Sequence, residues 1–198
     1  MTDTNDPARR PMRVLMVGAG GVGDAAARIA VERDFFEAWV VADVDLGRAE
    51  HTVAAASERR TGEERFTATR VDASDAHAVA ALAREVRATH VFNAVDPRFV
   101  MPIFTGALAA GADYLDMAMS LSQRHPEVPY EKVGVKLGDE QFALAGDWES
   151  ARRVELVLPE TGVCNRSPVP QHAEADAPAA TSGSGTGSGD ELLAMETR

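Results

Sequence analysis

Val14-Leu-Met-Val-Gly-Ala-Gly-Gly-Val-Gly23 starts as an apolar run and dissolves into glycine at positions 18, 20, 21 and 23. With Arg13 in front, Arg13-Val-Leu-Met-Val17 has the length and character of a buried strand. The glycines match the spacing G-x-G-x-x-G, which on its own could serve only to make a tight turn. Context narrows the reading. A strand precedes them, and Val22, Ala25, Ala26, Ile29 and Ala30 follow at i, i+3, i+4, i+7 and i+8, an expected apolar helix face. A glycine turn between strand and helix marks a dinucleotide-binding βαβ unit. In that setting Gly18 permits the turn, Gly20 lets a pyrophosphate approach the backbone, and Gly23 lets helix and strand pack closely. Unpaired N–H groups at the helix start would face the pyrophosphate. Asp24 puts a carboxylate near the same end, which suits the helix dipole if it points away from the ligand.

The second run, Ala38-Trp-Val-Val-Ala42, ends in Asp43, 20 positions beyond Gly23. An acidic side chain there is placed to accept hydrogen bonds from the adenosine ribose. Its charge would repel a 2′-phosphate, so the expected cofactor is NAD, with NADP disfavoured and Arg48 softening that preference. Helix capping is the plainer role for Asp43, but Asp45 is better placed for it. A helix with Leu46, Ala49, Val53 and Ala56 on one side should follow. The third run, Phe66 to Val71, is the least apolar and suits a sheet edge. Ala76, Val79, Ala80, Ala83 and Val86 outline the next helix face. The fourth run, His90-Val-Phe-Asn-Ala-Val95, stops at Asp96-Pro97, a cap followed by proline at the first helical position. Ile103, Ala107 and Ala110 then lead to Gly111, a helix stop, and the fifth run is Tyr114-Leu-Asp-Met-Ala118.

Strand-like runs with a helical segment between each pair predict βαβ units and a parallel sheet, an α/β doubly wound, Rossmann-like fold. Helices then cover both faces, which fits the continuous apolar character of the runs. Ligands bind beyond the carboxyl ends of such strands. Asp72 would therefore stand near the adenine, a turn or cap being the equally open role, and Asn93, Ala94 and Val95 would line the nicotinamide side. Residues 120–150 read as a surface excursion with one short helix near Asp139 to Trp148, and Val154 to Leu158 as a sixth strand. Prolines and Thr181-Ser-Gly-Ser-Gly-Thr-Gly-Ser-Gly189 make the end low in complexity. The expected organisation is a flexible 1–11, a dinucleotide-binding domain over 12–160, and a disordered tail over 161–198.

Composition excludes several classes. The chain has 198 residues, 45% of them hydrophobic, enough for one domain with a core. Lys+Arg number 20 against 31 Asp+Glu, a formal charge of −11, which argues against binding nucleic acid or an anionic membrane. A single cysteine, Cys164, allows no internal disulfide, and the five histidines form no close-spaced ligand pair, so no metal is expected. Neither a secretory signal nor a membrane-length apolar run is seen, so the expected location is cytoplasmic. There is no G-x-x-x-x-G-K-[ST], no G-x-S-x-G and no Tyr-x-x-x-Lys, which sets aside P-loop, hydrolase and short-chain dehydrogenase chemistry. A flavin site shares the glycine motif but has no further signature here.

Val14 to Gly23, Val41-Ala-Asp-Val-Asp-Leu-Gly-Arg-Ala-Glu50, Val71-Asp-Ala-Ser-Asp75, Val91-Phe-Asn-Ala-Val-Asp-Pro97 and Gly111-Ala-Asp-Tyr-Leu-Asp-Met-Ala118 together resemble the saccharopine dehydrogenase family. Pro129 to Gly138 is similar to the family's excursion after the fifth strand. The resemblance runs from residue 13 to about 150. It implies a nicotinamide-dependent oxidoreductase acting at a C–N bond of an amino acid or imine. The cofactor set it supports is Gly18, Ala19, Gly20, Gly21, Val22, Gly23, Asp43, Val44, Asp72, Ala73, Asn93, Ala94 and Val95. Members preferring NADP tend to carry a small residue and Arg where this chain has Asp43-Val44, so the departure favours NAD. Tyr114 and Asp116 are expected to face the substrate.

The family also implies a second, substrate-closing domain, and Thr161 to Pro170 does not give the turn that leads into it. NAD binding is therefore expected to survive better than turnover, since hydride transfer needs a positioned, dry site. The other readings are a non-catalytic NAD-sensing module and a truncated remnant. Self-association is expected if an apolar face stands exposed.

Overall fold

β1 (Arg13–Val17) lies inside a parallel sheet, bonded to β2 (Ala38–Asp43) on one side and β4 (His90–Asn93) on the other. β3 (Phe66–Arg70) forms one edge, as its weaker apolar character predicts. β5 (Asp113–Asp116) and β6 (Glu155–Val157) extend the other side, giving six strands in the order β3-β2-β1-β4-β5-β6. The computed structural model describes residues 11–60, 64–151, 153 and 155–157. The low-complexity tail, Cys164 and most of the N-terminal segment lie outside the described residues. The strand order reverses between β1 and β4, and this switch point is where open parallel sheets bind ligands.

Both faces of the central strands are buried. Val14, Met16, Trp39 and Val41 pack with Ala27 and Ala30 of α1 (Gly21–Ala30) and Ala49 and Ala56 of α2 (Leu46–Ser57). Leu15, Val17, Val40 and Ala42 pack on the opposite face with α3 (Ala76–Glu85) and α4 (Val100–Ala110). Successive strand side chains point to opposite sides, so one apolar run feeds both cores. Asp45 caps α2 by accepting from Gly47 N at 2.9 Å, and Asp75 caps α3 through His77 N and Ala78 N. Pro97 opens a single 3₁₀ turn, Pro97–Phe99, before α4 begins, and α4 ends at Gly111 in the left-handed conformation.

Three details depart from the sequence pattern. On α1 the buried residues are Gly23, Ala27 and Ala30, while Val22 and Ile29 are exposed. The helix meets the sheet through its smallest residues because that stripe lets the backbones approach, and the bulkier side chains are turned outward. On α2, Ala49 and Ala56 are buried as expected, but Thr52 and Ala55 join them and Leu46 is exposed. The stretch expected as one short helix is two, α5 (Asp139–Phe142) and α6 (Ala145–Ser150). Trp148 of α6 is buried against Phe104 and Tyr114, with ring centroids 4.9 and 6.2 Å away, so this excursion contributes to the core. Among the described residues no helix is long and apolar enough to cross a membrane.

His90 opens β4 half-buried. Burial pushes its imidazole below the ordinary 6.5, Asp113 pulls it back and Arg153 adds to the depression. The unfolded chain thus takes up this proton first, and stability is lost as pH falls from the ordinary value through the depressed one. Urea unfolding followed from about pH 7.5 to about pH 5 should show a decline in midpoint that His90→Gln flattens. An unchanged slope in the variant would assign the decline to other groups.

Candidate dinucleotide-binding site

At the carboxyl end of β1 the chain turns through Gly18, whose φ of 107° is closed to ordinary side chains. Gly18 N donates to Ala42 O at 2.7 Å, and a Cβ on Gly18 would come within 2.6 Å of Val95 Cγ1 and 2.7 Å of Ala94 O. The turn is therefore wedged between the ends of β2 and β4. A Cβ on Gly23 would overlap the Gly18 carbonyl oxygen, which makes Gly23 the closest point between α1 and the turn. Gly20 and Gly21 differ. An added Cβ there would meet nothing within 4 Å. Among the described residues nothing requires them to be small, and the space before them is open to a ligand.

Gly20 caps α1 without a side-chain hydrogen bond, and the first helical bond runs from Asp24 N to Gly20 O at 2.8 Å. The N–H groups of Gly21, Val22 and Gly23 thus have no helical acceptor and project from the positive end of the dipole. This open space and these donors fit a pyrophosphate. Asp24 directs Oδ2 to Arg28 Nε, 2.7 Å away and one turn along the helix, so its charge is paired there.

Asp43 is only 7% exposed. Its Oδ2 accepts from Ala19 N at 2.8 Å and its Oδ1 from Asp45 N at 2.9 Å, so the carboxylate fastens the glycine turn to the start of α2. Each oxygen keeps a second lone pair, which leaves acceptor capacity at the end of β2. Beside it Val44 is exposed, and its carbonyl accepts from Arg70 Nε at 3.0 Å. Asp72 accepts from Ser74 Oγ at 2.6 Å and Ser74 N at 2.9 Å, and these two bonds hold its carboxyl below the usual carboxylate range. That is the turn role. Ala73 packs partly buried against the core beneath it.

On the other side of the switch point, Ala94 N donates to Val17 O at 2.8 Å, tying the end of β4 to β1. Asn93, Ala94 and Val95 line a small cleft of about 120 Å³ with Val22, Pro97, Asp116, Met117 and Ala118. Asn93 itself is 2% exposed. Tyr114 and Asp116, expected to face the substrate, lie at this cleft, Asp116 in its lining and Tyr114 behind it. They are 2% and 0% exposed, because β5 turns both inward and the aromatic ring packs edge-on to Phe104 at 5.0 Å. Gln141 belongs to the same buried group, its Nε2 donating to Asp116 Oδ2 at 3.2 Å and its Oε1 accepting from Ser120 N at 2.7 Å. No sequence signal marks this glutamine, since it sits in a polar stretch that reads as surface.

Residues 14–154 match the family model described as "Saccharopine dehydrogenase NADP binding domain". The chain belongs to this family. It is 29% identical over 124 residues to carboxynorspermidine synthase of Vibrio alginolyticus, covering 60% of this chain and 30% of that protein. Among solved structures, apo saccharopine dehydrogenase (L-Glu forming) of Saccharomyces cerevisiae superposes with a TM-score of 0.52 at 16% identity, over 75% of this chain and 27% of that one. A short-chain type dehydrogenase/reductase of Mycobacterium marinum gives 0.50 at 12% identity, over 72% of this chain and 71% of that one. At such identities the two structures share the fold. This saccharopine dehydrogenase family chain spans under a third of the length of the Vibrio and yeast proteins.

The family's glycine turn makes a direct test. Gly23→Ala forces α1 away from the Gly18 carbonyl and should destabilise the protein by about 3 kcal/mol, read as a lower urea midpoint. Gly21→Ala, with open space around it, should leave the midpoint within about 1 kcal/mol of the parent. Equal effects at the two positions would contradict this packing.

Proposed function

We propose that this chain is the coenzyme-binding part of a nicotinamide-dependent oxidoreductase acting at a C–N bond of an amino acid or imine. The observation that carries the reading is the open space before Gly20 and Gly21, faced by unpaired helix N–H groups and backed by Asp43. Gly18 to Gly23 would hold the pyrophosphate, Asp43 and Val44 the adenosine ribose, and Asp72 and Ala73 would border the adenine. Asn93, Ala94 and Val95 would border the nicotinamide, which when bound supplies or accepts a hydride. The amino-acid or imine substrate follows from the family resemblance.

NAD is the preferred dinucleotide in this reading. A carboxylate fixed by two backbone donors at the end of β2 cannot swing away from a 2′-phosphate, and the exposed neighbour is Val44, which carries no charge to offset the repulsion. Arg48 and Arg70 are the cations in reach of that neighbourhood by sequence and by the Arg70–Val44 hydrogen bond, and they temper the preference without reversing it.

Titrating NADH and NADPH by nicotinamide fluorescence tests both parts. NADH should bind about tenfold or more tightly than NADPH, and Asp43→Ala should weaken NADH by about tenfold while narrowing that gap. Unchanged NADH affinity in the variant would remove Asp43 from the ribose site. Supplying saccharopine or lysine with NAD addresses turnover: NADH formation supports the oxidoreductase reading, whereas binding with no turnover favours a dinucleotide-binding module.

A further inference from the structure

Four side chains form a buried chain of hydrogen bonds behind the cleft. Asn93 Nδ2 donates to Tyr114 Oη at 2.9 Å, Tyr114 Oη donates to Asp116 Oδ2 at 2.6 Å, and Gln141 Nε2 donates to the same oxygen at 3.2 Å. None is more than 2% exposed. The directions follow from chemistry. A carboxylate only accepts, so the single phenolic proton goes to Asp116 and the phenolic oxygen must accept from Asn93. The Asn93 amide therefore turns its NH₂ to Tyr114 and its Oδ1 outward, where it accepts from Val95 N at 3.1 Å. One acceptor oxygen at the end of β5 thus sets the orientation of an amide at the end of β4.

We propose that Tyr114 is a positioning residue for the nicotinamide side of the cleft, acting through the Asn93 amide on the Ala94–Val95 backbone. The inference rests on the dinucleotide reading above and adds to it a residue that does not itself line the cleft but bonds to two residues of its wall, Asn93 and Asp116. Without the phenolic oxygen, the buried Asn93 NH₂ loses its acceptor, and an amide flip would set NH₂ against Val95 N–H. The backbone that lines the cleft then loses its pin, while the turn at Ala19 keeps its own anchor to Asp43. Gln141, in α5, braces Asp116 from behind and ties it to Ser120, so the excursion over 117–150 reaches the cleft through the same chain.

The effect should divide the dinucleotide in two. Calorimetric titration of the full chain with ADP and with NADH separates the adenosine half from the whole. Tyr114→Phe, which keeps the ring and removes the oxygen, should weaken NADH about five- to tenfold and change ADP less than about twofold. Gln141→Met, outside the cleft lining, should weaken NADH about two- to threefold with ADP again unchanged. The emission of bound NADH should shift toward that of free NADH in both variants. ADP binding also reports that a variant is folded, and should Tyr114→Phe not fold, the split is read on Gln141→Met. Equal weakening of both ligands, or none of either, overturns the proposal. Failure of the parent chain to bind ADP would instead remove the dinucleotide site on which it stands.

Discussion

Between the α-carbon of Gly23 and the carbonyl of Gly18 there is room for a hydrogen atom and nothing larger. That approach sets where α1 starts relative to β1, and much else follows from it. The small stripe of Gly23, Ala27 and Ala30 becomes the buried face, and the helix starts beyond the carboxyl end of β1, at the switch point between β1 and β4. Gly18 is held from both sides, by a hydrogen bond to the end of β2 and by contact with Ala94 and Val95 at the end of β4. The turn is thus a junction of three strands and a helix, and it cannot relax at one without disturbing the others.

Acidic residues crowd this junction, in a chain whose formal charge is −11, yet each is given donors of its own. Asp24 pairs with Arg28, Asp43 takes two backbone N–H groups, Asp72 takes the Ser74 hydroxyl and N–H, and Asp116 takes Tyr114 and Gln141. Bonds of this kind hold the carboxyl groups in place. The result is a rigid rim whose negative groups are fixed in position. Asp43, at the end of β2, fastens the glycine turn, and Asn93, at the end of β4, ties Val95 N to Tyr114 of β5. The two anchors share no side chain.

Much of the architecture was legible because the evidence for it is local. The five main strands, the caps at Asp45 and Asp96, and the stop at Gly111 each depend on a few consecutive residues and their backbone preferences. The helix faces were less legible. A count of apolar residues favours Val22 and Ile29 on α1, whereas the sheet selects the small residues because a close approach buries more backbone and more neighbours than two exposed aliphatic chains would. Tyr114 illustrates the same limit. Its place in β5 could be read, but a period-two alternation does not say that the ring would be clasped by Phe104 and Trp148, the latter 34 residues further along the chain.

The sequence by itself determined the strand–glycine–helix unit, the parallel sheet that grows from it, and the acidic residue that closes β2, since turn geometry and strand character are properties of short segments. Tertiary structure alone decided which surfaces face inward, that Asp43 holds the glycine turn through Ala19 N, and that Asn93, Tyr114, Asp116 and Gln141 share one chain of hydrogen bonds. Apart from the Tyr114–Asp116 bond, those contacts join residues 21 to 25 positions apart, and a hydrogen bond depends on fractions of an ångström that only the packed sheet supplies.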